Sequence, residues 1–492
     1  MNRRQAKILW TLVSVVTVLV LACAPVAAPP SPQAGAQTPA AAAAVPAAKP
    51  AGSTPAPAAA PKASADKVTI TFWTWFQGNH YEDNLKHFIQ TFQDKHPNVE
   101  VKYESLTWQE GGQKVSVQLA AGEPPDVMFA YFNPSWLDTG YVMPVDDQLT
   151  PEEKADFGEH SLKSYSYRGK LYGFPIWKQL WNVSANKELL EEAGIDWKTI
   201  QKEGWTFEQF NEVAVKLTKE QGRLGKKQWG FVYNGTWSNG GLPEMWQLWN
   251  VNSGIQWVVD EQSKFLYNDP RALENLRRVV SYHKDLKVSP PENPAIQPAK
   301  MTEMFSNWEA AMIARSGPYI VPQQQERCEK IKAGKEQGTC VTPVMLPFPK
   351  LKGEKEGTPA SVPAHIVFKG KTDKGADFYK LTTEFAKHLS SAEATCRWSA
   401  DLYEVPARDS GIKYCQENKL LDMNDPNMVF FKEYFDRAAV MAKTLPSELN
   451  TKVQKAQREG LFPSYEAMLL GAKTPEQAYA DIVTAVEKIL KE

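Results

Sequence analysis

The residue types that most often carry catalysis do not fall into a catalytic spacing in this sequence. The seven histidines are scattered, and no His-Glu-x-x-His segment or Cys/His set has the spacing of a zinc site. The sequence also lacks the Gly-x-Ser-x-Gly nucleophile turn and the Gly-rich phosphate-binding loop that ends in Gly-Lys-Ser/Thr. We therefore expect a protein that binds without breaking bonds, and that needs no metal and no cofactor.

The aromatic residues are suited to ligand recognition instead of catalysis. The chain contains 16 tryptophans, and tryptophan supplies large flat apolar faces for binding, although core packing is its commoner role. The stretch 167–190, YRGKLYGFPIWKQLWNVSANKELL, mixes such rings with polar groups in alternation, which predicts a strand with one open face. Pro175 should end the preceding strand, and Asn186 can cap a helix closed by Gly194. The alternative is an ordinary β-turn-β-helix unit.

The elements that would position these side chains alternate between strand and helix. Residues 68–72 and 99–103 read as strands with an amphipathic helix between them, and a further strand follows at 126–129. This order predicts an α/β fold with a parallel, doubly wound sheet, whose ligands lie at the carboxyl ends of the strands. Those ends correspond to residues 73–78 and 130–136.

The amino terminus predicts an export signal. Three basic residues precede an apolar run at 8–21 that is too short and too early to be a membrane-spanning helix of the mature protein. The run ends in Leu-Val-Leu-Ala-Cys, which resembles the bacterial lipobox, so Cys23 is the expected lipidation site. Acyl chains would hold the protein on a membrane, at about 0.8 kcal/mol per buried methylene. The alternative is a plain secretory signal with an incidental cysteine.

Composition separates a tether from the folded part. Residues 24–66 are almost entirely Ala, Pro, Ser, Gly and Gln, which predicts a disordered tether that could reach on the order of 100 Å. The 492-residue chain is long enough for two lobes, and its net charge of −1 gives no reason to expect nucleic acid as a partner. Two disulfides are plausible outside the cytoplasm, with free buried thiols as the alternative and no pairing deducible, among Cys328, Cys340, Cys396 and Cys415.

Six segments resemble a known family and occur in its order. They are AAGEPPDVMF (120–129), GYVMPVDDQL (140–149), YRGKLYGFPIWKQLWNVSANKELLEEAGI (167–195), GWTFEQF (204–210), FSNWEAAMIARSGPY (305–319) and MLLGAKTPEQAYADIVTAVEKIL (468–490). Together they are similar to the extracellular solute-binding proteins of the sugar-binding family, which serve ATP-driven ABC importers. The resemblance covers essentially all of residues 68–490.

The resemblance implies a two-lobed periplasmic-binding-protein fold of type II, with discontinuous lobes joined by a hinge that the chain crosses three times. The expected crossings lie near 176–181, near Leu346 and Pro347, and between about Ser391 and Ala400. The expected organisation is signal peptide 1–23, tether 24–66, first lobe 67–176, second lobe 177–346, return to the first lobe 347–392, and second-lobe helices 393–492.

The resemblance also implies a ligand site between the lobes. A sugar has polar hydroxyls and weakly apolar faces, so its site needs stacking rings edged by amides and charges. The sequence departs at two positions from the pattern of the maltose-binding members of this family. Ala130 stands where those proteins have a stacking tryptophan, and Gln179 stands where they have a carboxylate. The expected ligand-binding residues are Trp75, Gln77, Gly78, Tyr131, Asn133, Trp136, Trp177, Lys178, Gln179, Trp246, Trp249, Arg315, Tyr319, Tyr403 and Glu404. For each single aromatic residue, core packing is the alternative.

Lys178 suggests a more specific ligand. Together with Arg315 it could engage the carboxylate of an acidic sugar such as a uronide, whereas the alternative is a solvated lysine.

These inferences predict a monomeric, lipid-anchored extracytoplasmic protein that captures a carbohydrate, most plausibly an oligosaccharide, by hinge closure. Its partners would be the permease subunits of an ABC transporter, with ATP hydrolysis on a separate subunit. A tethered sensor or adhesin would have the same fold and cleft, and a secreted glycoside hydrolase would place paired carboxylates in a Trp-lined groove.

Overall fold

The computed structural model describes residues 67–107, 111–131, 133–234, 244–441, 443 and 445–492. The predicted signal peptide, the lipidation site Cys23 and the predicted tether lie outside these residues. Among the described helices, none combines the length and the apolar character that a membrane span requires.

Strands and helices alternate along the chain. The strands are β1 (Val68–Trp75), β2 (Val99–Leu106), β3 (Val127–Ala130), β4 (Ser166–Tyr167), β5 (Lys170–Leu171), β6 (Phe174–Pro175), β7 (Trp177–Leu180), β8 (Asn182–Asn186), β9 (Met312–Ser316), β10 (Pro343–Leu346), β11 (Thr358–Ser361), β12 (Ala364–Val367), β13 (Val405–Pro406) and β14 (Ala439–Met441).

The α-helices are α1 (Asn79–Lys95), α2 (Gly111–Ala121), α3 (Pro134–Asp138), α4 (Pro151–Lys163), α5 (Lys187–Glu192), α6 (Trp197–Glu203), α7 (Phe207–Leu217), α8 (Glu244–Val251), α9 (Pro270–Lys284), α10 (Pro298–Ser306), α11 (Ile320–Lys332), α12 (Ala376–His388), α13 (Ala392–Leu402), α14 (Asp409–Glu417), α15 (Pro426–Ala438), α16 (Ser447–Lys455), α17 (Phe462–Leu469) and α18 (Pro475–Lys491). Short 3₁₀ turns lie at Asp146–Gln148 and Asn293–Ala295, and a π-helical turn at Ala456–Leu461.

A five-stranded sheet in the order β2-β1-β3-β12-β6 forms the centre of what we call the first lobe. Strand β1 pairs with β2 and β3 in parallel, as the β-α-β pattern predicts. The sheet is nevertheless mixed, because β12 pairs with β3 in the antiparallel direction and β6 is antiparallel to β12. The expectation of a purely parallel sheet is therefore wrong. That expectation was based on β1, β2 and β3, whereas β12, which is distant in sequence, also pairs in this sheet.

A three-stranded antiparallel sheet, β10-β8-β9, lies in what we call the second lobe. Aromatic rings pack in its core, where Phe231 stacks on Tyr233 at 5.7 Å between ring centroids and meets Tyr282 edge-on at 5.3 Å. The carboxyl-terminal helix α18 has the predicted capping box, with Thr474 as N-cap, Pro475 at the first helical position and Gln477 closing the box.

A four-stranded sheet in the order β13-β7-β11-β14, which we call the hinge sheet, connects the two lobes. The chain enters it from β6 of the first lobe, runs through β7, and continues into β8 of the second lobe. The stretch 176–181, expected to carry the first crossing, therefore contains β7.

The second and third passages differ from the expected positions. Leu346 is still paired with Val183 in the second lobe, and the chain joins the first-lobe sheet only at Ala364, after β11. At the expected third crossing the chain forms α13, where Trp398 packs on Phe88 of α1. Local sequence does not specify these points, because they depend on which sheet a strand pairs with. The domain limits themselves stay predictions.

Asp126 fixes the two central strands of the first lobe. Its carboxylate accepts hydrogen bonds from the Thr71 backbone N–H at 2.9 Å and the Thr71 hydroxyl at 2.8 Å, and Lys374 donates to it at 2.5 Å. Asp126 is only 4% exposed, so this interaction is shielded from water. Because Asp126 directly precedes β3 and Thr71 lies in β1, this interaction fixes the two strands relative to each other.

We predict that Asp126→Ala lowers the free energy of unfolding by about 2 kcal/mol, because the partly buried Thr71 donors would lose their acceptor. Urea denaturation would measure the change. The control Asp94→Ala alters an exposed aspartate on α1 and should cost less than about 0.5 kcal/mol. Equal losses in the two variants would contradict the assigned role.

Candidate ligand cleft

A cleft of about 970 Å³ lies between segments of the two lobes. The first lobe contributes the loop after β1, the beginning of α1 and the end of α13. The second lobe contributes Tyr319 and one face of α11. Three of the expected residues, Gln77, Gly78 and Tyr319, lie in this lining. The cleft is large enough for a small-molecule ligand of several rings.

Three exposed apolar side chains line this cleft. Phe76 is 47% exposed, Tyr319 is 37% exposed and Leu420 is 38% exposed, and all three line it. Most other large apolar side chains of the described residues are buried, so rings left open at a concave surface indicate faces that a ligand can cover. Phe76 lies within residues 73–78, the strand end where ligands were expected, but it was not among the individual residues expected to bind the ligand.

Amides and carboxylates supply the polar edge. The Gln77 Nε2 atom is buried and has no hydrogen-bond acceptor among the described residues. Asn84 donates to Asp401 at 2.7 Å, and burial is the main cause that raises the pKa of Asp401. On the opposite wall Glu326 pairs with Lys330 at 2.7 Å, and the hydrogen bond from Lys330 lowers the pKa of Glu326. The lining can therefore accept and donate hydrogen bonds to hydroxyl groups.

The sequence analysis missed most of these polar residues. Gln323, Glu326 and Glu329 follow Tyr319 at helical spacing, so a polar stripe after the Gly-Pro-Tyr motif was the available signal. Asn84 and Asp401 had no such signal, because they meet only when α13 packs beside α1.

A second group of expected residues meets at the hinge sheet. The Tyr131 hydroxyl donates to Gln179 Oε1 at 3.0 Å, and the Ser361 hydroxyl donates to the same oxygen at 3.1 Å. The Gln179 side chain also lies near Glu404, whose pKa it lowers. Ser361 was not predicted. It reaches Gln179 because β11 pairs with β7 at these two residues.

Glu404 is an almost fully buried carboxyl group. It is 1% exposed, and its Oε2 atom has no partner among the described residues. Burial raises the pKa of Glu404 well above its usual value, and the hydrogen bond from Gln179 offsets this rise only in part. This burial favours the protonated, neutral form of Glu404.

Several expected ligand-binding aromatics are instead core residues. Trp177, Trp246 and Trp249 are 0% exposed. Trp177 stacks on Phe129 with ring centroids 5.3 Å apart, and Trp246 donates to the Ala272 carbonyl at 2.8 Å. Burial of these large rings within a lobe removes more apolar surface from water than a position at the cleft edge.

Other expected residues also lie away from the cleft lining. Tyr403 is 7% exposed and its hydroxyl bonds to Asp425, and Trp75 is 8% exposed. Tyr131, Asn133 and Trp136 surround a separate cavity of only about 10 Å³, which is too small for a sugar ring.

The structure describes the side chain of only one of the two cations of the acidic-sugar hypothesis. The Lys178 ammonium lies over the Phe435 ring, 5.4 Å from its centroid, and Lys178 does not line the cleft. The Arg315 side chain lies outside the described residues.

Both walls of the cleft carry a disulfide. Cys328 on α11 is bonded to Cys340, and Cys396 on α13 is bonded to Cys415 on α14. Each bond therefore ties a cleft-lining helix to its own surroundings. Throughout the described residues, no group of three or more His, Cys, Asp or Glu side chains is arranged to hold a metal ion.

The buried state of Glu404 predicts a pH dependence. Because its pKa is raised in the folded state, the folded protein keeps a proton that the unfolded chain releases above about pH 4.3. Stability should therefore fall as pH rises from about 5 to 7, by up to about 1.4 kcal/mol per pH unit. Glu404→Gln removes this contribution, so its stability relative to the unmodified protein should increase with pH. Urea denaturation across that range measures it.

The matched control is Glu203→Gln, which changes an exposed glutamate. Its stability difference from the unmodified protein should not change with pH. A pH-independent difference for Glu404→Gln as well would show that Glu404 is not held neutral.

Relatives of the chain have been described in several bacteria. A putative binding protein of Brucella abortus is 22% identical over 272 residues, which cover 54% of this chain and 61% of the relative. The arabinooligosaccharide-binding protein of Bacillus subtilis is 28% identical over 166 residues, 32% of this chain and 36% of the relative. The chain thus matches less than two thirds of the length of either relative.

Solved structures share the fold. Maltose-bound MalE3 of T. maritima matches with a TM-score of 0.68 at 20% identity, over 86% of this chain and 100% of the other. The GacH receptor of Streptomyces glaucescens matches with a TM-score of 0.66 at 21% identity, over 87% and 99%. The predicted two-lobed α/β fold is thereby confirmed. The family model of bacterial extracellular solute-binding proteins matches residues 87–413, and the chain belongs to that family.

Proposed function

We propose that the protein captures a carbohydrate, and specifically an oligosaccharide, in the cleft between its lobes. The observation that carries this proposal is the pairing of exposed rings, Phe76 and Tyr319, with an amide- and carboxylate-rich lining in one cleft of about 970 Å³. Rings can stack on the apolar faces of sugars, while amides and carboxylates bond their hydroxyls. Relatives described as maltose, maltotriose and arabinooligosaccharide binders support the same ligand class.

Capture would proceed by closure of the hinge. The lining residues come from both lobes, so a ligand that contacts both binds the closed arrangement more tightly and shifts the population toward it. Two chain passages between the lobes, through β7 and β11, are paired side by side in the hinge sheet, which would let the lobes move as units. No residue of the lining is required to react with the ligand. The ligand would therefore be released chemically unchanged.

The cellular setting follows from the amino terminus. We infer that Cys23 carries a lipid anchor on the outer face of the cell membrane, and that residues 24–66 tether the binding unit to it. From there the closed form would deliver its sugar to the permease subunits of an ABC transporter. A sensor role would use the same cleft, and uptake assays in cells that lack the protein would separate the two.

We predict that a tightly binding sugar raises the melting temperature of the protein, since it stabilises only the folded state. Screening neutral and acidic oligosaccharides by thermal shift would identify it. Recovery of the intact sugar after incubation would distinguish binding from hydrolysis. If no carbohydrate in a broad panel shifts the melting temperature, the proposed ligand class is wrong.

Tyr319→Ala should then weaken that sugar by about 1–3 kcal/mol, or roughly 5- to 150-fold in Kd, through lost stacking and contact area. Isothermal titration calorimetry measures this change. Leu470→Ala is the matched control, because Leu470 is 67% exposed and lies outside the cleft lining. Unchanged affinity in a folded Tyr319→Ala protein would remove Tyr319 from the site.

A further inference from the structure

One side chain, Gln179, connects parts of the protein that are far apart in sequence. Its Oε1 atom accepts hydrogen bonds from Tyr131 at 3.0 Å and from Ser361 at 3.1 Å, and its side chain lies near Glu404, whose pKa it lowers. Together these four residues, Tyr131, Gln179, Ser361 and Glu404, form what we call the hinge network.

Each member of the hinge network belongs to a different segment. Tyr131 directly follows β3, a strand of the first-lobe sheet. Gln179 lies in β7, Ser361 ends β11, and Glu404 directly precedes β13. Since β11 and β13 flank β7 in the hinge sheet, the network adds side-chain links to three strands that already share backbone pairing. Tyr131 links the first-lobe sheet to this unit.

The hydrogen bonds of Gln179 leave little capacity for a ligand. A carboxamide oxygen has two acceptor sites, and both are used by the hydroxyls of Tyr131 and Ser361. Gln179 is also absent from the lining of the cleft. Its position therefore suits a structural link better than direct contact with a sugar.

Glu404 provides a fixed anchor for this link. It is 1% exposed, its backbone N–H bonds the Ser399 carbonyl, and it directly precedes the strand that pairs with Lys178 and Trp177. A neutral carboxyl group can hold the Gln179 amide without a buried charge that lacks a counterion.

We propose that Gln179 is a positioning residue that sets the resting arrangement of the two lobes, because its Oε1 atom holds the Tyr131 hydroxyl of the first lobe and the Ser361 hydroxyl of the hinge sheet together. A rotation of the lobes at the hinge sheet must either move Tyr131 together with Gln179 or break the bond between them. The network therefore biases the ligand-free equilibrium between open and closed forms, and it adjusts the affinity for every ligand by the same factor. This deepens the proposed function by naming a determinant of closure.

The test measures the lobe separation without any ligand. Donor and acceptor dyes are placed by unnatural amino acids at exposed positions Gln90 on α1 and Lys216 on α7, in the full-length protein. Single-molecule energy transfer then gives the distribution of distances. Tyr131→Phe removes only a hydroxyl group, and Gln179→Ala removes the whole link. We expect both to change the open-to-closed ratio in the same direction, by about fivefold for the single hydroxyl.

A swap variant and a matched control sharpen the test. Gln179→Glu combined with Glu404→Gln exchanges the amide and the carboxyl, and should return the distribution toward that of the unmodified protein. Gln228→Ala is the control, because Gln228 is buried and bonds the Leu217 carbonyl within the second lobe. It should lower stability without changing the lobe distance.

Two results would overturn the proposal. The first is a Tyr131→Phe protein, folded by circular dichroism, whose distance distribution matches that of the unmodified protein. This variant decides the matter even if Gln179→Ala does not fold. The second is a Gln179→Ala protein with an unchanged ligand-free distance but lost binding of maltotriose, which would make Gln179 a direct ligand contact. Because the main readout needs no sugar, failure of the carbohydrate proposal leaves this test intact.

Discussion

The pairing of β7 with β11 on one side and β13 on the other is the constraint on which the rest of the structure depends. It gathers segments from three distant parts of the chain into one sheet, so the lobes can differ in structure yet remain joined. The same pairing brings Ser361 and Glu404 to Gln179. Without it, neither the hinge network nor the alignment of the two cleft walls would follow from the separate lobes.

In each lobe some aromatic side chains pack in the core, and others line the cleft. Trp177, Trp246 and Trp249 are fully buried, whereas Phe76 and Tyr319 stay partly exposed at the concave surface. The two rings that stay open at this concave surface are therefore available to a ligand. The two disulfides, Cys328–Cys340 and Cys396–Cys415, then restrain the helices that present the polar edge.

The sequence predicts the structural features that depend on short-range interactions along the chain. The capping box of α18 and the parallel pairing of β1 with β2 follow from spacing within a few residues. The cleft lining does not, because Asn84 and Asp401 are brought together only by helix packing. The position of a tryptophan in a sequence motif does not indicate whether its side chain lies on the buried or the exposed face of its strand or helix. Gln179 shows the same limit, since its partners come from strands that pair only in the fold.

The central claim is that a sugar is held between lobes that close on it. Single-molecule energy transfer between labels at Gln90 and Lys216, recorded during titration with the sugar that gives the largest thermal shift, tests this claim most directly. The account predicts a saturable shift to a shorter distance, with a midpoint equal to the Kd measured by calorimetry. A sugar that binds with that Kd and leaves the distance unchanged would contradict it.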